Sequence, residues 1–376
     1  MDFSFSEEQT LLRNSVSRFL ADNYGFETFK TISRTEPGWR RENWKQFADL
    51  GLLGASLPEE HGGLGGGPVE TMIVMEEFGK ALVVEPYVQT VVVAGNFFNL
   101  GGSAAQKGEW LPKIAAGETV IAFAFAEPQG RFNLADLTTT AKKQGGGYVI
   151  NGHKAVVLGA PWADTLLVTA RTAGGQRDAK GVSVFGIDRK SKGISTRDYP
   201  TMDGMRASEV TFENVEVPSS AVVGELDGAL PLIERVTDYA IAAHCSEAVG
   251  AMKVLLDTTV EYSKTRKQFG VPIGKFQVLQ HRMVDMFMNR EQSASITLMV
   301  TLKLDESETE RKKAASAAKV QIGKAGRFVG QNAVQIHGGM GMTDELNVGH
   351  YFKRLTMIDT LYGNVDYHLK RYASLS

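Results

Sequence analysis

The sequence predicts an α+β fold in which helical regions flank a central antiparallel β-domain. Three observations carry this reading. Apolar residues recur at helical spacing from residue 5 to about 115 and again from about 230 to the end. Between about 118 and 225, short β-rich runs are separated by turn residues. The segment 309–337 is rich in alanine, which suits helices packed closely in a bundle. The expected domains are 1–117 (helical), 118–228 (a β-barrel or sandwich) and 229–376 (a helical bundle).

In the first region, Ser6 precedes Glu7, Glu8 and Gln9, which reads as an N-cap with acids in the first helical turn. Leu11, Leu12, Val16, Phe19 and Leu20 follow on one face. Further helices are expected at 39–52, 68–83 and 104–116. The run His61–Gly67 is glycine-rich, but it never completes G-x-G-x-x-G and no strand precedes it, so it reads as a mobile loop.

In the middle region, Tyr148-Val149-Ile150 and Lys154-Ala155-Val156-Val157 flank Asn151-Gly152, which predicts a hairpin there. Strands are expected at 164–170 and 181–188, and Val210, Phe212, Val215 and Val217 alternate around a turn at Glu213-Asn214. In the last region, Val249, Met252, Leu255, Leu256, Val260 and Ser263 form one stripe, and Leu279, Met283 and Met286 another.

Composition excludes several functions. The 376 residues carry 41 basic and 43 acidic side chains, so no bulk field attracts nucleic acid or an anionic membrane. No stretch approaches the ~20 apolar residues of a membrane span. The N-terminal MDFSFSEEQT is acidic and resembles neither a signal nor a transit peptide. Cys245 is the single cysteine; it sits among alanines, reads as buried packing, and suits a reducing compartment. The expectation is a cytoplasmic protein.

Four constellations could carry chemistry. In Glu261–Gly270, basic residues in a last helical turn meet Phe269 and a helix-ending glycine. Such charge can simply complement a helix C-terminus, or Arg266 can grip a phosphate with its planar fork while Phe269 covers a ring. In Gln335–Met342, a helix ends in adjacent glycines that let a ligand approach the backbone, or that serve only as a cap. His337 reads as a packed histidine without a second metal ligand at suitable spacing. The remaining two, Phe125–Gly130 and Leu361–His368, are equally readable as connections.

Taken together, these residues resemble the acyl-CoA dehydrogenase family through nearly the whole chain. The markers are Arg266-Lys267-Gln268-Phe269-Gly270, Phe276-Gln277-Val278-Leu279-Gln280-His281 and Gln335-Ile336-His337-Gly338-Gly339-Met340-Gly341. Within the family, the chain is similar to the small-subunit type of pimeloyl-CoA dehydrogenase-like heteromers and to heteromeric dehydrogenases of steroid side chains. The resemblance implies an N-terminal helical domain, a middle β-domain, a C-terminal four-helix bundle, and FAD held between two subunits. One subunit's β-domain cradles the flavin ring. The other's bundle reaches across to the pyrophosphate and adenosine through the elements matched here by Arg266, Gln268, Phe269, Gln335, Gly338 and Gly339.

The family's reaction removes the α-proton of an acyl-CoA thioester with a glutamate while the β-hydrogen leaves as hydride to the flavin. An electron-transfer flavoprotein is the implied acceptor. Here Tyr362 occupies the position of the glutamate, and the alternative position on a bundle helix aligns near Asp238-Tyr239-Ala240. Asp366 and Asp238 are the remaining acidic candidates. The family's T-E-P-x-A-G-S-D run becomes Ala126-Glu127-Pro128-Gln129-Gly130-Arg131-Phe132-Asn133, and its ring-lining Trp and Ser/Thr align with Val156 and Leu158. The half that reaches across an interface is therefore kept, and the half that holds the ring is altered. That asymmetry implies an accessory subunit working against an acyl-CoA dehydrogenase-like partner that holds most of the substrate. The competing expectations are a self-sufficient homo-oligomer with a relocated base, a flavin-free scaffold, and a flavin monooxygenase on the same fold.

Overall fold

The computed structural model describes residues 4–375; Met1-Asp2-Phe3 of the acidic N-terminal stretch lie outside them. Helices α1 (Glu7–Asn23), α2 (Phe26–Arg34), α3 (Arg41–Asp49), α4 (Pro68–Ala81), α5 (Gly95–Gly101) and α6 (Ala104–Ala115) come first. Strands β1 (Ile121–Ala124), β2 (Thr140–Gln144), β3 (Gly147–Leu158), β4 (Thr165–Arg171), β5 (Val182–Asp188), β6 (Ile194–Pro200), β7 (Arg206–Pro218) and β8 (Val222–Val223) follow. Then come α7 (Leu230–Thr265), the ribbon β9 (Lys267–Gln268) and β10 (Val271–Pro272), α8 (Gln277–Leu302), α9 (Glu308–His337), α10 (Val348–Thr360) and α11 (Val365–Ser374).

Ser6 caps α1 as its position suggests, accepting from the Gln9 N–H at 3.1 Å while Gln9 returns a bond to the Ser6 N–H. The glycine-rich run after residue 61 is not a mobile loop. Gly63, Leu64, Gly65 and Gly66 donate to the carbonyls of Pro58, Gly54, Leu57 and Ala55, closing it on its own preceding turn. A further helical stretch, Val88–Ala94, is a buried π-helix without a distinctive sequence pattern.

The chain divides into two compact units. One gathers residues up to Thr31, Pro68–Val83 and Ile241 onward; the other gathers Ile32–Gly67 and Val84–Ala240. The second unit contains the sheet, in the order β6-β7-β3-β2-β4-β5-β8 with β1 paired to β4. Its core includes Ile150, Leu166, Val168, Phe185, Val210, Phe212 and Val215. Neighbouring pairs are mostly antiparallel, but β1 runs parallel to β4.

Two turns expected from sequence are corrected here. Asn151-Gly152 is not a hairpin: β3 runs unbroken through it, and the hairpin to β2 lies instead at Gly145-Gly146. Asn214 is likewise inside β7. The two sites face each other across the β3–β7 ladder, where its register slips between Ile150 and Gly152. Asn151 Oδ1 accepts from the Asn214 N–H at 2.8 Å, and Asn151 Nδ2 donates to Asn214 Oδ1 at 3.2 Å. Asn214 takes φ +51° and Gly152 φ +154°. The turn-forming residues thus serve a bulge in long strands, because the partner strand supplies the bonds a turn would have made locally.

The same unit buries an ion pair. Lys154 of β3 is fully buried, and its Nζ donates to Glu127 Oε1 at 2.7 Å and Thr169 Oγ1 at 2.9 Å. Glu127 also accepts from the Thr138 N–H at 2.7 Å, the Thr139 N–H at 3.1 Å and Gln129 Nε2 at 2.9 Å. Burial pushes this carboxyl upward, but the Lys154 charge and the bonds from Lys154 and Thr138 outweigh it and hold Glu127 at about 2.

The helical unit has its own buried acid. Glu247 of α7 lies against Arg354 of α10, with Nη1 to Oε1 at 2.5 Å. Burial again acts upward on Glu247, and Arg354 with His244 overcomes it, holding the group at about 2. Both carboxyls have folded-state values below their ordinary 4.5, so their contribution is complete above pH about 4.5. It is lost as pH falls toward 2, because the unfolded chain binds the proton first. Urea midpoints measured from pH 7 down to 3 should therefore hold steady above pH about 5 and decline below it. A midpoint independent of pH down to 3 contradicts the assignment.

Candidate functional site

The dinucleotide-gripping candidates lie on the helical unit. Helix α7 ends at Thr265, and Arg266 passes the chain into the β9–β10 ribbon, whose Ile273 N–H donates to the Arg266 carbonyl at 2.8 Å. The ribbon's tip carries Phe269 with φ +53°, so its ring is 92% exposed. A bulky residue in this left-handed conformation is costly and persists where the surroundings impose it. Phe276, edge-on at 6.1 Å, supports the ring from one side.

Helix α9 ends nearby. Its last residue, His337, stacks on Tyr262 of α7 with ring centroids 4.3 Å apart, and its Nδ1 meets the Ala333 carbonyl at 2.8 Å. Burial moves His337 below its usual range, so it is a neutral packing residue, as its sequence surroundings suggest. Gly338 follows with φ +63°, and a Cβ at Gly338 or Gly339 would meet nothing within 4 Å. The stacking joins the two sequence elements: the end bearing Arg266, Gln268 and Phe269 is fastened to the end bearing Gln335, Gly338 and Gly339. All six are exposed, and the Arg266 guanidinium has no ion-pair partner among the described residues. A free guanidinium, two amide side chains and open glycine backbone are the donors a diphosphate takes.

The ring-side candidates lie in the other unit and differ in character. Ala126 accepts the Ala155 N–H at 2.9 Å through its backbone and offers no hydroxyl. Val156 stands at a second ladder irregularity with φ +52° and 47% exposure. Its N–H donates to Glu209 Oε1 at 3.4 Å. That carboxylate also accepts from the Tyr199 hydroxyl at 2.9 Å and meets His153 Nε2 at 2.8 Å. Ala126, Val156 and Leu158 carry no polar side-chain atoms, and the adjacent acid consumes the Val156 amide. The sequence alone does not reveal Glu209 of β7, because its partners come from two other strands, β3 and β6.

The turn at the C-terminus is held firmly. Lys319 of α9 is fully buried, and its ammonium donates to the carbonyls of Ile358 at 2.5 Å, Asp359 at 3.0 Å and Gly363 at 2.9 Å. His368 Nε2 meets the Tyr362 carbonyl at 3.1 Å. Burial, with the charges of Lys319 and Arg371, brings His368 down to about 3, so it is neutral and donates that bond. Tyr362 is kept at φ +56°, and burial raises its phenol above the ordinary range, which leaves it protonated and unable to act as a base. Asp366 is exposed in the first turn of α11, where it complements the helix N-terminus. Asp238 is wholly buried within α7 in the other unit. Cys245 is also fully buried, and burial pushes its thiol to about 12. No cluster of metal-ligating residues occurs among the described residues. No helix among them is long and apolar enough to cross a membrane.

Three family models match in succession: the acyl-CoA dehydrogenase N-terminal domain at residues 6–118, the middle domain at 122–215 and the C-terminal domain at 231–374. The chain belongs to the acyl-CoA dehydrogenase family. Among characterised relatives, mitochondrial isovaleryl-CoA dehydrogenase of Solanum tuberosum is 33% identical over 93% of this chain and 85% of its own. Among solved structures, a variant of the Tcur3481-Tcur3483 steroid ACAD is 28% identical. It superposes with a TM-score of 0.88 over 98% of this chain and 97% of its own. The FAD complex of PigA superposes with a TM-score of 0.92 at 25% identity, over 100% of this chain and 98% of the other.

The fold is thus the acyl-CoA dehydrogenase fold of N-terminal helices, middle β-domain and C-terminal helical domain, and its cofactor is FAD. The six residues expected from sequence to meet the diphosphate would fit that cofactor in donor type and exposure. Ala126, Val156 and Leu158, expected beside the ring, would offer its polar edge no side-chain donors, each such loss costing about 1–3 kcal/mol.

Proposed function

We propose that this chain is the accessory subunit of a heteromeric, FAD-dependent acyl-CoA dehydrogenase. It contributes Arg266, Gln268, Phe269, Gln335, Gly338 and Gly339 to a flavin whose ring is seated in a catalytic partner. The observation that carries this reading is the contrast between two halves of one cofactor site. The α7 and α9 ends are joined by the Tyr262–His337 stack and present free donors, whereas Ala126, Val156 and Leu158 present none. A homodimer would combine one sound half and one poor half in each site; a heterodimer can bring two sound halves together once. FAD accepts the hydride from the β-carbon when bound, and this chain's residues hold its diphosphate and exclude water from it. The acyl-CoA lies mainly on the partner, and an electron-transfer flavoprotein is the electron acceptor in this scheme. Likeness to the steroid ACAD supports a two-polypeptide arrangement.

The test is flavin stoichiometry. Co-expressed with a family partner, the complex should carry one FAD for each pair of chains, while this chain purified alone should be colourless. One FAD per chain in the isolated protein refutes the division of labour.

A second reading is a self-sufficient homo-oligomer with a relocated base. Neither acid named from the sequence favours it, since Asp366 is solvent-facing at a helix N-terminus and Asp238 is enclosed.

A further inference from the structure

Two loops of the sheet-bearing unit are fixed to each other by buried charge. One is the stretch 128–136 that follows β1; the other, 172–181, joins β4 to β5. Arg171, the last residue of β4, is only 6% exposed. Its Nη1 donates to the carbonyls of Asp178 at 2.9 Å and Lys180 at 2.7 Å. Its Nη2 donates to those of Gln176 at 2.9 Å and Ala135 at 2.5 Å. Asp136, also buried, accepts from Gln176 Nε2 at 2.6 Å and Arg177 Nε at 2.7 Å. A guanidinium and a carboxylate withdrawn from water thus fasten one loop to the other.

What they fasten is exposed. In the first loop the Asn133 N–H donates to the Gly130 carbonyl at 2.8 Å, closing a turn around Arg131 and Phe132. Arg131 takes φ +49° at a position where the family run aligned above carries glycine. Glycine adopts this conformation freely, whereas arginine there is strained, and such strain persists where the surroundings impose it and marks functional segments. The Arg131 side chain faces solvent and makes no ion pair among the described residues. Residues 173–180 of the second loop are all exposed. The two loops with Arg171 carry the cations Arg131, Arg171, Arg177 and Lys180 against only Asp136 and Asp178. Small molecules bind in concave sites, so exposed tips of this kind suit a protein surface instead. Tips already held in place lose little conformational freedom on docking, and an arginine fork matches a carboxylate.

We propose that the Arg131 turn and the 173–180 tip dock against an acidic face of the dehydrogenase-like partner subunit. Arg131 and Lys180 supply the attraction, while Arg171 and Asp136 position both tips. This inference rests on the accessory-subunit reading and adds the surface by which this chain recognises its partner.

The test is the rate of association between this chain and the family partner, each purified in full and mixed at low salt. Arg131→Glu/Lys180→Glu should slow association by about tenfold or more. The difference should shrink at high ionic strength, because attraction between exposed charges is screened. Circular dichroism verifies the fold; should the double variant misfold, Arg131→Ala and Lys180→Ala carry the same comparison. Flavin per assembled pair should not change, since neither residue is among those placed at the diphosphate. Equal rates for variant and wild type, or a difference that salt leaves untouched, overturn the inference. Unchanged assembly with weakened acyl-CoA binding also overturns it, by making the tips a phosphate contact. A wild-type chain that forms no heteromer removes the accessory-subunit reading and this surface with it. A wild-type pair with one FAD that the variant assembles equally fast removes this surface alone.

Discussion

Arg266→Ala should weaken FAD retention by the complex about 10- to 100-fold while leaving its assembly intact. The guanidinium is exposed at the end of α7, and its backbone is already fixed by the bonds from Arg266 N–H to the Tyr262 carbonyl at 2.9 Å and from Ile273. Removing the side chain therefore takes away charge and donors without disturbing the fold. A hydrogen bond to a charged group contributes about 1.5–3 kcal/mol, and each 1.4 kcal/mol is a factor of ten in affinity. Lys at this position should recover part of the loss, since it keeps the charge but not the planar fork. The measurement is flavin content after gel filtration, with light scattering to verify the complex. Unchanged flavin in Arg266→Ala removes the cross-interface role from this residue and with it the main support for the proposed function.

Lys154→Met should destabilise the chain by about 3–5 kcal/mol, the range seen when one member of a buried ion pair is removed. The effect follows from what remains: Glu127 would be an uncompensated carboxylate with no exposure of its side chain. Its remaining donors, Thr138, Thr139 and Gln129, cannot neutralise it. The double variant Lys154→Met/Glu127→Leu should regain much of the loss, because two apolar groups remove the buried charge altogether. Urea denaturation of the single and double variants measures both. A single variant as stable as wild type would mean that the Lys154–Glu127 contact contributes nothing in solution. The pair also fastens Phe125–Pro128 to β3, since Lys154 Nζ reaches the Phe125 carbonyl at 3.4 Å. Glu127 thus has a structural role in a segment that reads from sequence as cofactor-facing or merely connecting.

Much of the architecture was legible because it rests on local periodicity. Helical stripes such as Val249, Met252 and Leu255 are buried as their spacing requires, and Met286 of the second stripe is fully buried. The strands expected at 164–170 and 181–188 correspond to β4 and β5. The hairpin signals failed where tertiary pairing overrode them: Asn151 and Asn214 satisfy one another across two strands, 63 residues apart in sequence. A local rule cannot see a partner at that separation.

By itself, the sequence determined the fold class, the family and the cofactor, because motifs in fixed order depend only on residue identity and spacing. Only the tertiary structure decided how buried charges are paired. Glu247 and Arg354 are 107 positions apart, and Lys319 reaches carbonyls 39 to 44 residues away. His244 looks like an ordinary helix residue until the fold sets its Nδ1 2.9 Å from a Glu247 carboxylate that a distant arginine also contacts. Protonation states follow from burial and contact at a few ångströms, and those are properties of the folded chain.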